Sequence, residues 1–247
     1  MTTTILTGAT RGLGLAMAHQ LAKLGGHLVT ISRREVPDLA KIALEHGTRL
    51  TEIEAELSDH ADLKRVAATM VKALEGSEHV RIIHNAGGVS PILPANKLTE
   101  LEPISIAFEA NIVAPIYLTG CFLSATENVT DRRIMLISSG AGRKGTHSWG
   151  VYCATKAAMD RYAEVVALEA AANTRVASMA PGVIDTPMQE TIRGTPQELF
   201  PVRERFENMH RDGVLAKPEQ TAQRLLELLN RDDFGQTVID DVRNHTF

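Results

Sequence analysis

Apolar and polar positions alternate between two rhythms along this chain. Short, nearly continuous apolar runs occur at 4–7, 27–32, 50–57, 80–84, 133–138, 175–180 and 237–239. Runs of that length, such as "RIMLIS", predict strands covered on both faces. Between them lie longer segments, at 13–24, 59–74, 100–126, 152–172 and 218–229, in which apolar residues recur every three to four positions. That period predicts helices burying one face. Strand and helix in turn imply βαβ units, and so an α/β protein with a doubly wound parallel sheet of about seven strands. No composition shift, repeat or low-complexity tract divides the chain, so one domain over 1–247 is expected. The stretch 187–217 breaks the rhythm. It carries Gly194, Pro196, Pro201, Gly213 and extra charge, and it reads as an irregular insert where a substrate lid would sit.

The first strand runs into "TGATRGLG", with Gly8, Gly12 and Gly14 ahead of a helix. Glycines there allow a tight turn and a close backbone approach to a phosphate, and the helix N-terminus adds free N–H groups. The end of the second strand then discriminates between cofactors. An acid would bind a ribose 2′-hydroxyl, whereas an arginine favours a 2′-phosphate. The chain has Ser32, Arg33 and Arg34 there and Arg11 in the glycine loop, so NADP(H) is expected, with Arg34 left to solvent.

Bulk properties narrow the class. A net charge of −4 without any basic block argues against nucleic-acid binding. No apolar run approaches a membrane span, and the start has no leader-like pattern, so no membrane association and a cytoplasmic location are expected. Cys121 and Cys153 have neither disulfide-framework nor metal spacing, and no histidine–carboxylate grouping suggests a metal.

Tyr152 and Lys156 stand four apart in a helical stretch and share one face. Alone, that pair is an aromatic ring covering a lysine stem. Other segments change its meaning. "TGATRGLG", "HNAG" at 84–87, "ISSGAG" followed by "YCATK", and "APGVIDT" at 180–186 occur in the order and spacing of one family. With them the chain resembles the short-chain dehydrogenase/reductases over nearly its whole length. "SSGAGRKGTHSWGVYCATKAAMD" and "APGVIDTPMQETIR" are similar to the sepiapterin-reductase-like subgroup and, within it, to bacterial benzil reductases.

The resemblance implies a single-domain Rossmann fold and an NADPH-dependent carbonyl reductase acting on a small-molecule carbonyl, here one carbonyl of a vicinal aryl diketone. It implies Tyr152 as proton donor, Lys156 as its neighbouring cation and ribose holder, Ser139 as the group polarising the carbonyl, and Asn111 as holder of a relay water. A polar residue at a kink near Pro115 is the other reading of Asn111. A cation beside Tyr152 is expected to lower its pKa. Ser138 alternates to the opposite side of its strand and reads as structural. The cofactor set is Gly8, Thr10, Arg11, Gly12, Leu13, Ser32, Arg33, Leu57, Asn85, Ala86, Gly87, Tyr152, Lys156, Pro181, Gly182, Val183 and Thr186. Glu56 stands where the family has an adenine-binding aspartate, which leaves its role open.

Val89, Ala141, His147, Trp149 and Met188 are expected to line the substrate pocket, together with residues of the insert such as Phe200 and Phe206. Trp149 either stacks on substrate or packs under the lid. The helices at 100–126 and 152–172 form the shared interface of family dimers and tetramers, and "VVALEAAA" permits close approach, so a homodimer or homotetramer is expected. Other readings are an NADP-linked alcohol dehydrogenase, a pterin side-chain reductase, and a non-catalytic NADP(H)-sensing regulator. The last would be expected to lack Ser139, Tyr152 or Lys156, and all three are present.

Overall fold

The structure is a computed structural model and describes all 247 residues. Seven strands, β1 (Thr2–Thr7), β2 (His27–Ser32), β3 (Arg49–Glu54), β4 (His79–His84), β5 (Asp131–Ile137), β6 (Thr174–Ala180) and β7 (Ile239–Asp241), form one sheet in the order 3-2-1-4-5-6-7. Every pairing is parallel. The order in which strands are added reverses between β1 and β4, which opens a crevice at the C-terminal strand ends.

Register explains the two-sided core. Ile5 aligns with Val29 on one side and Ile82 on the other, and the row continues through Ile134 to Val176. All five are buried in one cluster with residues of α3 (His60–Leu74), α5 (Ala114–Ala125) and α6 (Gly150–Glu169). The next row, Leu6, Ile83, Met135 and Ala177, faces the opposite side and joins α1 (Gly12–Leu21), α2 (Leu39–Glu45) and α9 (Pro218–Asn230). Each fully buried side chain of this size stabilises the fold by about 1.5–3 kcal/mol. Below that row Arg81, Arg133 and Arg175 stand side by side in register. Arg133 donates to the carbonyls of Leu229 and Arg231 at the end of α9 and pairs with Asp131. Cations at a helix C-terminus satisfy its free carbonyls, which accounts for arginine in otherwise apolar strands.

Three expectations change. The short α2 was invisible to periodicity, being under two turns long. The stretch 187–217 is not irregular: α7 (Pro187–Gly194) and α8 (Arg203–Arg211) are helices. Both ends of this excursion are tied together, because Ala216 N–H donates to the Val183 carbonyl and Asp185 N–H to the Ala216 carbonyl. Finally, the expected helix at 100–126 contains a π turn at Glu109–Val113 between α4 (Leu101–Phe108) and α5. As one continuous element, Leu101–Ala125 is long and apolar enough to cross a bilayer, contrary to the reading of the bare sequence. Here Leu118 and Phe122 are instead buried against α3 and the sheet. Leu101, Ile106, Phe108, Val113, Ile116 and Tyr117 remain exposed on the same element, as do Val165 and Leu168 on α6.

Candidate active site

One large cleft, of about 860 Å³, runs across the C-terminal strand ends. At its deep end the turn after β1 passes within contact of β4. A Cβ on Gly8 would lie 2.8 Å from the Ala86 Cα, and Gly8 has φ +73°, so both space and backbone require glycine. Ser32 Oγ accepts the Ala9 N–H, and Asn85 donates to the Thr7 and Gly8 carbonyls, which fixes the loop from β2 and β4. The N-terminus of α1 has no side-chain cap and no acid in its first turn. Its free N–H groups, with exposed Arg11 and Arg33 at the rim, are a donor set suited to the phosphates of a dinucleotide. Arg33 Nη1 lies 4.0 Å from Glu56 Oε2, so Glu56 faces that guanidinium and also lines the cleft. Arg34 does not line it.

The middle of the cleft holds the polar side chains. Ser139 is in extended conformation before the 3-10 turn Gly140–Gly142, and its Oγ accepts the Ala141 N–H at 3.2 Å. Tyr152 and Lys156 project from the first turns of α6, and both are buried. Lys156 Nζ donates to the Ile137 carbonyl at 2.7 Å and lies 5.9 Å from the centre of the Tyr152 ring. Burial draws Lys156 down to about 8, opposed by the carboxylate of Asp160. Burial raises the Tyr152 pKa, and the hydrogen bond from Ser139 only partly offsets it. The expected lowering of Tyr152 by Lys156 is not found in the protein alone: desolvation of the phenolate is the largest influence, and the lowering comes from Ser139 rather than Lys156.

Asn111 sits inside the π turn and is buried. Its Oδ1 accepts the Gly88 N–H, and its Nδ2 donates to the Gly88 carbonyl and to Thr155 Oγ1. The widened turn thus aims the side chain at the loop after β4 and at α6. Ser138 Oγ donates to Asp160 at 2.6 Å, and Ser138 also lines the cleft, so it is not turned wholly to the opposite side of its strand as expected.

Every residue of the expected cofactor set lines the cleft, as do Ser139, Asn111, Ala141, Trp149 and Met188. Val89, placed in the substrate pocket from sequence, does not line it; it is buried with Ile92 and Phe200 in the apolar cluster whose other members, Ala141, Trp149, Tyr152, Ile192 and Phe206, do. His147 and Phe200 do not line the cleft either. Trp149 is under the insert: its ring stacks on Phe200 at 5.6 Å and meets Tyr152 edge-on at 5.4 Å. Sequence reasoning passed over Ile192, Arg205 and Arg243, which reach the cleft from α7, α8 and the C-terminal segment. The amphipathic spacing of α7 and α8 was the one signal available for the first two.

Comparison with known proteins agrees with this geometry. A family model described as short chain dehydrogenase matches residues 2–197. Benzil reductase ((S)-benzoin forming) of Bacillus cereus is 34% identical over 94% of this chain and 95% of its own length. Sepiapterin reductase of Mus musculus is 31% identical over 93% of this chain and 92% of its own. The crystal structure of the KRED1-Pglu enzyme superposes with a TM-score of 0.83 at 24% identity, covering 96% of this chain and 99% of that one, a likeness of fold. With its glycine turn, its Ser139–Tyr152–Lys156 grouping and these matches, the chain belongs to the short-chain dehydrogenase family and is an oxidoreductase acting on carbonyl and hydroxyl groups.

Proposed function

We propose that this protein is an NADPH-dependent reductase of one carbonyl in a vicinal, aryl-substituted diketone such as benzil. One observation carries the reading: Ser139, Tyr152 and Lys156 line the same cleft, between a glycine turn suited to phosphates and an apolar wall that includes Ala141, Met188, Ile192 and Phe206. NADPH, when bound, supplies the hydride. Ser139 Oγ–H donates to the carbonyl oxygen and stabilises the charge that develops there. Tyr152 delivers its phenolic proton to that oxygen, and its raised pKa keeps the proton available at neutral pH. The Lys156 ammonium balances the resulting phenolate, while Asn111 keeps the loop after β4 seated against α6. Arg11 and Arg33 at the rim support the preference for a 2′-phosphate.

The names of the similar benzil and sepiapterin reductases support carbonyl reduction. The helical insert α7–α8 is read as the wall that closes on it. The exposed apolar stripe of α4–α5 and α6 supports a homodimer or homotetramer, and the reading as a whole supports work in the cytoplasm. The test is the initial rate of cofactor oxidation with benzil, comparing NADPH and NADH. Turnover at least about tenfold faster with NADPH is expected. A preference for NADH would overturn the roles of Arg11 and Arg33, and no turnover with either would overturn the diketone.

A further inference from the structure

Asp160 lies one helical turn beyond Lys156 and is buried. Its Oδ1 accepts hydrogen bonds from Ser138 Oγ at the end of β5 and Ser178 Oγ in β6, each 2.6 Å long. Its Oδ2 is out of reach of solvent and has no hydrogen-bond partner, with Arg143 Nε 3.5 Å away. Gly142 packs on the same spot. A Cβ there would lie 2.9 Å from Asp160 Oδ2 and 2.9 Å from the Lys156 carbonyl. The turn that begins with Ser139 therefore rests on α6 at Lys156 and Asp160.

Two serine donors do not require an anion, since a neutral amide oxygen would accept both. Burying a carboxylate with an unpartnered oxygen is costly unless another charge uses it. Two cations are placed to use it. Arg143 is the nearer at 3.5 Å, and Lys156 lies one helical turn back on α6, buried, its ammonium making one protein hydrogen bond, to the carbonyl of Ile137, the residue beside the Ser138 that bonds Oδ1. We propose that Asp160 is a positioning residue of the active site, keeping Lys156 in its ammonium form and seating the Ser139 turn from beneath. The inference rests on the catalytic reading of Lys156. Burial works against that ammonium, and Asp160 works for it.

The other groups around the pair are known. From α6 itself come Lys156 and Tyr152. The turn at 140–143 contributes Arg143, whose Nη2 also donates to the Asp240 carbonyl. The C-terminal segment contributes Asp240, Asp241 and Arg243, with Asp241 held by Arg243 and also acting on Arg143. β5 and β6 offer only Ser138 and Ser178, and the π turn offers neutral Asn111.

The experiment is a pH titration of 13C-labelled lysine followed by NMR in the protein without cofactor, with Lys156 assigned by loss of its signal in Lys156→Arg. Asp160→Asn is expected to lower the Lys156 midpoint by about one unit. The alkaline limb of kcat/KM for carbonyl reduction should move the same way. Arg143→Gln, a change at the surface, removes the competing cation and is expected to move the midpoint upward. Opposite shifts support the proposal. An unchanged midpoint in both variants, or a uniform loss of kcat with no movement of the limb, assigns Asp160 to the scaffold alone and overturns it. Should Asp160→Asn fail to fold, the direction of the Arg143→Gln shift decides. The titration needs no substrate, so its outcome is separate from that of the diketone reading.

Discussion

The two ends of the cleft are built on different principles. The end at the glycine turn is made largely of backbone: N–H groups of α1, a carbonyl-bound Asn85, and Gly8 pressed against Ala86. The far end is made of side chains from separate elements, Ile192 of α7, Phe206 of α8, Trp149 before α6 and Arg243 near the C-terminus. Backbone can approach a ligand only where side chains are absent, so the first end tolerates few sequences. The second needs only apolar volume and a few polar groups, which many sequences supply. The chemistry sits where these two constructions meet.

Five expectations would sharpen or break that contrast. At the meeting point, Tyr152→Phe should lower kcat by about 10²–10⁴-fold while leaving the NADPH dissociation constant within about twofold, measured by steady-state rates and fluorescence titration. Retained turnover would remove the proton donor from its role. At the same place, burial of Lys156 links activity to stability. Its pKa of about 8 in the folded chain lies below the ordinary 10.5, so between those values the unfolded chain binds more protons and stability rises with pH. The full penalty, up to ~3 kcal/mol, applies below about pH 8. Urea unfolding of wild type and Lys156→Met at pH 7 and pH 10 should therefore show wild type gaining on the variant at the higher pH.

Gly8→Ala tests the backbone end. Its Cβ would meet the Ala86 backbone at a positive φ, so a loss of about 1–3 kcal/mol in unfolding free energy is expected, with weakened NADPH binding. Arg33→Ala should weaken NADPH by about tenfold and leave NADH unchanged, a gain-free loss read from paired KM values. At the side-chain end, Phe206→Leu is the mildest: about a threefold rise in KM for the diketone with cofactor KM unchanged, in line with a small loss of apolar contact. A change in cofactor KM with Phe206→Leu, or in diketone KM with Arg33→Ala, would show that the two ends are not separable.

The same contrast explains what could be read before folding. The sheet, five of the helices and the glycine turn were legible because each follows from period or from a steric need that glycine alone meets. Tyr152 and Lys156 were legible as one helix face, and their meaning came from the motifs around them. The π turn at Glu109–Val113 was not, since its apolar pattern is that of the helices on either side. Helices α7 and α8 were obscured by Pro196 and Pro201 between them and by Gly194 and Gly213 at their ends. Arg205 and Arg243 were passed over because no local pattern links them to residues 139–156. Val89 was misplaced for a related reason: sequence proximity to the loop after β4 put it near the cleft, and packing turned its side chain under Trp149 and Phe200.

The insert leaves the body of the protein at Val183–Asp185 and returns beside it at Ala216, tied by main-chain hydrogen bonds. An excursion closed at its own root behaves as a cassette. Its length and contents can be exchanged while the strand end that carries Pro181 and Gly182 keeps its place. Closing a longer loop between fixed ends adds little entropy, roughly 0.6 kcal/mol for each doubling. Exchange of residues 187–215 among homologous reductases is therefore the economical route to new substrate choice, because it rewrites the wall and leaves the hydride-transfer end as it was.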